Sequence, residues 1–117
     1  MTLIELRDRL KKATGPETEF DIALYRLLDP KAAALDPAGW PDYTASLDAA
    51  VTLAPPNLWW MVTYGRLSPS EPLWAAHFED PESQTVIAKA EHAASAAICL
   101  CLCRIEYEIA KAGGITA

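Results

Sequence analysis

Apolar side chains recur every three or four residues in the first part of the chain, which is the spacing of one face of an α-helix. The pattern predicts a first helix from about Thr2 to Ala13, with Glu5 completing a capping box at its start. A second helix is expected to begin near Pro16 and to end at Asp29, because the residue before a proline is pushed out of the helical region. So short a link between two helices predicts a helical hairpin.

The middle of the chain changes from helical spacing to alternation. Prolines predict a loop from Asp29 to Asp42, and a short third helix is expected from about Thr44 to Leu53. Alternating aromatic and β-branched residues then predict strands at Leu58 to Tyr64 and at Leu73 to Glu79, which should pair as a hairpin. The segment from Gln84 to Ala90 alternates weakly, and it fits either a third strand or the beginning of the last helix.

The last helix, roughly His92 to Ala112, is apolar on more than one side. Either it is central to the domain or it also lines a subunit interface, and its wide apolar surface predicts a homo-oligomer. Cys99, Cys101 and Cys103 lie in this helix. Their spacing lacks the distant second pair of ligands that a zinc site uses, so they are expected to be small packing residues.

These elements predict an α+β fold in a single domain that covers residues 1–117. An N-terminal helical hairpin and a short third helix precede a small antiparallel sheet of two to three strands. A long C-terminal helix completes a layered, α/β/α-like arrangement.

Composition narrows the class of protein. Hydrophobic residues make up 51% of the 117 residues and charged residues 22%, which is typical of one globular domain. The net charge of −6 argues against general nucleic-acid binding, which needs a basic surface. We find no apolar run of membrane-spanning length and no signal-peptide pattern, so membrane association and secretion are not expected.

The sequence contains none of the phosphate-loop, dinucleotide, zinc-protease or nucleophile-elbow motifs. Only His77 and His92 are histidines that could act as general bases near neutral pH, and both are expected at the surface. The sequence therefore predicts a protein that is not an enzyme, without catalytic residues, bound metal or cofactor.

Polar side chains cluster at the predicted start of the third helix, where Tyr43, Thr44, Ser46 and Asp48 follow one another closely. Helix capping is the ordinary role of such residues. Free N–H groups at a helix start, with hydroxyls beside them, can also hold a phosphate or a carboxylate. Asp48 would then suit a ribose hydroxyl or an exocyclic amine.

Aromatic residues are the other candidate ligand contacts. Trp40 in the loop and Trp59 on the outer strand face are hard to bury, and an exposed tryptophan often stacks on a ligand or lines an interface. Arg66 lies on the same side as Tyr64 and could bind a phosphate bidentately, or could instead form a surface ion pair. The candidate ligand-binding residues are Trp40, Tyr43, Thr44, Ser46, Asp48, Trp59, Tyr64 and Arg66.

Three stretches resemble, in order and spacing, the phage ABA sandwich domain family of small phage proteins. They are KATGPETEFD from Lys12 to Asp21, YTASLDAA from Tyr43 to Ala50, and AAICL from Ala96 to Leu100. The chain departs from the family pattern at Phe20, where a leucine is usual, and in the cysteine-rich run of the last helix. The resemblance implies a phage or prophage origin and helices packed against a small sheet, but it implies no chemistry.

Two functions fit these observations. The first is a non-enzymatic phage protein, located in the cytoplasm of the infected bacterial host, that sequesters a small nucleotide-derived immune signal. By binding such a signal, of the ADP-ribose or cyclic-nucleotide type, the protein would keep it from antiphage defence. Other small phage proteins sequester defence signals in this way, and that class serves here as an analogy. The alternative is a protein–protein interaction module that inhibits a host protein or assists virion production. A hydrolase of the same nucleotides ranks third, because metal ligands are missing.

Overall fold

The computed structural model describes residues 2–28, 41–68 and 71–113. It confirms the α+β class, with four helices and one open antiparallel sheet of three strands in the described part of the chain. The predicted loop from Asp29 to Asp42 lies outside the described residues except for its last two. The elements are α1 (Leu3–Lys12), α2 (Thr18–Leu28), α3 (Leu47–Val51), β1 (Trp59–Ser68), β2 (Glu71–Glu79), β3 (Val86–Ala93) and α4 (Ala96–Gly113).

The first helix begins as its capping residue predicts, whereas α2 begins at Thr18 and not near Pro16. Thr2 Oγ1 accepts a hydrogen bond from the backbone N–H of Glu5 at 3.1 Å, which confirms the cap of α1. An ion pair joins Arg9 Nη1 to Glu19 Oε1 at 2.9 Å and so links α1 to α2. The helix α1 contacts α2, as the predicted hairpin requires, but it packs more extensively on α4.

The sheet has the strand order β1-β2-β3, and both pairings are antiparallel. Trp60 lies opposite Phe78 and Val62 lies opposite Ala76, so these side chains share the face that α4 covers. Phe78 is fully buried, whereas Trp60 keeps 45% of its surface exposed because β1 is an edge strand. The outer face carries Trp59 and its alternate neighbours.

The ambiguous segment after residue 84 is a strand, β3. The predicted beginning of the last helix at His92 is therefore wrong, since His92 belongs to β3. The helix α4 starts after Ser95, whose hydroxyl accepts the backbone N–H of Ile98 at 3.1 Å. Because Ser95 caps α4, the helix begins at Ala96 and does not include His92.

The helix α4 forms the middle layer of the fold. It contacts all three strands, and it also contacts α1 and α3. Every residue from Ala97 to Cys103 is buried, and so is Ile105. Burial within the chain therefore accounts for the wide apolar surface of α4, and the central position is the one of the two alternatives that the structure supports.

The three cysteines are buried and free, as their assignment to packing predicts. The thiols of Cys99 and Cys103 donate to backbone carbonyls of the sheet, while the thiol of Cys101 donates to the carbonyl of Tyr43 on another side of the helix. Burial, reinforced by nearby negative charge, raises the pKa of Cys99 and of Cys103 to about 12, and it raises the pKa of Cys101 further.

These thiols are expected to resist modification while the protein is folded. The reactive form is the thiolate, which burial suppresses and shields from reagents. With a chromogenic disulfide reagent at mildly alkaline pH, we expect negligible labelling of the native protein and labelling of all three cysteines in denaturant. Rapid labelling of a folded sample would contradict the buried placement of these side chains.

Candidate functional site

Thr44 is a structural residue in this fold. Its hydroxyl accepts the backbone N–H of Glu17 at 3.0 Å and donates to Asp21 Oδ1 at 2.9 Å. The backbone N–H of Thr44 donates to the same oxygen at 2.8 Å. Thr44 is 1% exposed, and its neighbour Tyr43 is also buried. The hydroxyl predicted to meet a ligand is therefore engaged inside the protein, where it fastens the start of α2 to the segment before α3.

The remaining polar candidates lie at the start of α3. Ser46 Oγ accepts the backbone N–H of Ala49 at 3.2 Å, so Ser46 and not Thr44 caps the helix. Asp48 lies exposed in the first turn. Because α3 has only five residues and its cap is provided by the chain itself, this segment offers little as an anion site.

The aromatic candidates point to different faces of the sheet. Trp59 is 59% exposed on the outer face, as the sequence predicts. Tyr64 lies on the opposite face, where its ring centroid is 4.6 Å from that of Trp74. Trp40 and the side chain of Arg66 lie outside the described part of the structure. The structure thus does not bring the described candidate residues together around one cavity.

Asp21 is a buried carboxyl, 4% exposed. Burial raises its pKa above the ordinary value, the two hydrogen bonds from Thr44 oppose that rise, and the negative charge of Asp42 adds to it. A carboxyl whose folded pKa is raised binds its proton more tightly in the folded state. The contribution of Asp21 to the free energy of unfolding therefore falls as the pH rises from the ordinary pKa to the raised one.

We expect acidification to favour the unaltered protein over an Asp21→Asn variant. As the pH falls through that window, protonation relieves the buried charge of the unaltered protein, and the variant has no such gain. Urea unfolding of both proteins at a series of acidic pH values measures the difference, with Asp48→Asn as the exposed control. A relative loss of stability of the unaltered protein on acidification would mean that the pKa of Asp21 is lowered.

A different part of the molecule forms a cavity. A pocket of about 400 Å³ lies between β3, α4 and the end of α1, and an adjoining pocket of about 450 Å³ follows β3 and α4. The first volume falls in the range of small-molecule sites. None of the candidates whose side chains the structure describes lines either pocket. The first pocket is lined by Lys11, Lys89, Ala90, Glu91, His92, Leu102 and Glu106.

His92 stands at an irregular point of the pocket wall. Its φ of 62° is in the left-handed region, which few residues other than glycine adopt. The register places Ala93 opposite Trp74 but Ala90 opposite Ala76, so Glu91 and His92 form a bulge. Bulges are common beside functional sites, where they redirect side chains. Here the bulge presents Glu91 and His92 at the pocket, with the two side chains 3.9 Å apart at their closest polar atoms.

The pocket carries charges of both signs. Lys11 and Lys89 are exposed, and neither forms an ion pair with a described carboxylate. In contrast, Arg7 contacts Glu106, with 3.6 Å between Arg7 Nε and Glu106 Oε1. That carboxylate oxygen is buried and has no hydrogen-bond partner among the described residues. Lys11 and Lys89 thus border the pocket together with two acidic residues, Glu91 and Glu106. The register sets Lys89 opposite His77, on the sheet face away from α4, so its ammonium group reaches the pocket only around the edge of β3.

Sequence reasoning places none of the residues of this pocket among the ligand-binding candidates. In the sequence, Lys11 is one of several charged residues expected on the solvent side of α1. Lys89 lies in the weakly alternating segment, so neither lysine is distinguished by its pattern. No spacing connects these positions to Glu106, because they come from three separate elements. His92 is the one sequence feature that could have indicated this pocket, but its assignment to a helix hides the bulge.

Comparison of the chain with family models, curated proteins and solved structures finds no match. Within the described residues, no group of three or more histidine, cysteine and acidic side chains is placed to hold a metal ion. None of the described helices has the length and hydropathy needed to cross a membrane. The resemblance to the phage family therefore rests on the quoted motifs alone.

Proposed function

We propose that the protein binds a small phosphate-bearing molecule in the pocket between β3, α4 and α1, and does not convert it. One observation carries the proposal: two lysines without a described carboxylate partner, Lys11 and Lys89, line the same cavity. Ammonium groups of this kind are common ligands of phosphate. In a chain with a net charge of −6, an anion needs such a local site.

The mixed charge of the pocket supports a nucleotide-derived ligand within this class. A phosphate would contact Lys11 and Lys89, while ribose hydroxyls or an exocyclic amine would donate to Glu91 and Glu106. Leu102 and Ala90 also line the pocket, and each exposes less than a tenth of its surface to a ligand there. With the phage origin that the sequence resemblance implies, the ligand would be a signal of host defence, of the ADP-ribose or cyclic-nucleotide type. Its sequestration in the host cytoplasm would weaken that defence.

Thermal unfolding with added nucleotides tests the proposal. We expect AMP, ADP-ribose, cyclic AMP or a cyclic dinucleotide to raise the Tm, while adenosine, which lacks the phosphate, does not. A ligand at about 100 times its Kd adds about 2.7 kcal/mol, which corresponds to a Tm increase on the order of 10 °C for a domain of this size. If none of these phosphates raises the Tm, the proposal fails.

A protein–protein interaction module is the second candidate function. The outer face of the sheet favours it, since Trp59 and Met61 are 59% and 48% exposed there. Apolar groups exposed in this way often mark a contact surface. A Trp59→Ser variant that binds nucleotide normally but no longer counters host defence would favour this candidate over sequestration.

We also propose that the protein forms a homo-oligomer, as the sequence predicts, but α4 is not the reason. Since α4 is covered within the chain, the exposed apolar side chains of the sheet now carry the argument.

A further inference from the structure

The two edges of the sheet differ in how well they are protected from further pairing. The edge strand β3 contains two register shifts and bears Lys89 and Glu91, which are typical protections of an edge. The strand β1 pairs regularly with β2 from Trp59 to Arg66, and its only register shift lies beyond. No charged residue and no proline occurs from Trp59 to Gly65. Among the described residues, no strand pairs with the outer edge of β1.

The same strand bears most of the exposed large apolar side chains of the sheet. Trp59, Trp60, Met61 and Tyr64 are between 45% and 59% exposed. Together they expose roughly 400 Å² per chain, if each of these side chains offers about 200 Å² in total. Complete burial of these side chains on both copies would cover about 800 Å², and the paired backbone adds to this area toward the roughly 1,000 Å² that a specific interface requires.

We propose that β1 pairs with β1 of a second copy of this chain, antiparallel, so that two sheets join into one of six strands. The uncharged stretch from Trp59 to Gly65 is centred on Val62, which places the two-fold axis there. Trp60 then lies opposite Tyr64 of the second copy on the face that α4 covers. On the outer face, Met61 lies opposite Thr63 of the second copy.

The charge distribution along β1 suits a copy of itself. Arg66 is the only charged residue of the strand. In the proposed register it faces Leu58 of the second copy, so that no like charges meet across the two-fold axis. The pocket with Lys11 and His92 lies on the β3 side of the sheet, and dimerisation leaves it open. The inference is thus independent of the ligand proposed above.

Sedimentation velocity over a dilution series tests the dimer. The full chain is expected to show twice the 12.8 kDa mass of one copy at high concentration. A monomer at all concentrations overturns the proposal and would leave this surface to another kind of partner.

Two matched double variants test the register. Met61→Lys with Thr63→Lys places like charges opposite each other across the two-fold axis, and a monomer is expected. Met61→Lys with Thr63→Glu places opposite charges there, and a dimer is expected. Both positions are exposed on the outer face, so circular dichroism should show the same fold for both. Equal masses for the two variants would overturn the proposal.

An edge control completes the experiment. Ile87 is 41% exposed on β3, and Ile87→Lys is expected to leave the mass unchanged. A monomeric Ile87→Lys variant would place the interface on β3 and would also overturn the proposal.

Discussion

Replacing Phe78 by alanine is expected to lower the free energy of unfolding by about 3–5 kcal/mol, the usual loss for a buried aromatic residue. Phe78 is 0% exposed in the central strand, between the sheet and α4. Its ring makes an edge-to-face contact with Tyr107 of α4, with 6.4 Å between the centroids. No exposed position of the sheet has comparable packing, and a domain of this size has only about 5–15 kcal/mol of stability to lose.

Ile87→Ala is the matched control for this prediction. It also truncates a large apolar side chain of the sheet, but Ile87 is 41% exposed. Chemical denaturation of both variants gives the two free energies of unfolding. If Phe78→Ala costs no more than Ile87→Ala, the face of the sheet that meets α4 is not the centre of the core.

Reversing the charge at Lys11 and Lys89 together is expected to weaken nucleotide binding by at least about 100-fold. Each hydrogen bond to a charged group contributes about 1.5–3 kcal/mol, and a carboxylate in its place repels the phosphate. The double variant Lys11→Glu with Lys89→Glu should keep its fold, since both side chains are exposed. Isothermal titration with whichever nucleotide raises the Tm measures the change in Kd.

The control for this pair carries the same change of net charge elsewhere. Lys12→Glu with Lys111→Glu alters two exposed lysines, neither of which lines the pocket. We expect its affinity to change only slightly, by the long-range effect of net charge. Equal weakening by both double variants would show that the pocket lysines have no particular role.

The elements that the sequence predicts well are those with long and regular patterns. The stripe of α1 and the alternation around Trp74 and Phe78 reflect one buried face each, so local spacing is sufficient to identify them. The sequence pattern assigns the end of β3 to the last helix because a bulge interrupts the alternation of β3 at Glu91 and His92. Bulges depend on pairing with a neighbouring strand, and one strand's own spacing does not contain that information.

The candidate site could not be predicted for a related reason. Thr44 and Asp48 form the most distinctive polar motif of the sequence, yet the hydroxyl of Thr44 bonds to Asp21 and Glu17. These two hydrogen bonds join two of the three stretches on which the phage resemblance rests, and they give both stretches a structural role. Lys11 and Lys89 line the same pocket only because α1, β3 and α4 pack together.

The protein is proposed to hold a nucleotide-derived ligand and to release it unchanged. The most direct test is to saturate the protein with ADP-ribose, and separately with cyclic AMP and a cyclic dinucleotide, and to remove the unbound ligand. The protein is then denatured by heat, and the released molecule is identified by mass spectrometry. We predict that at least one of these compounds is retained by the unaltered protein, is lost from the Lys11→Glu/Lys89→Glu variant, and is recovered intact. Recovery of a converted product, or retention of none of them, would contradict the claim.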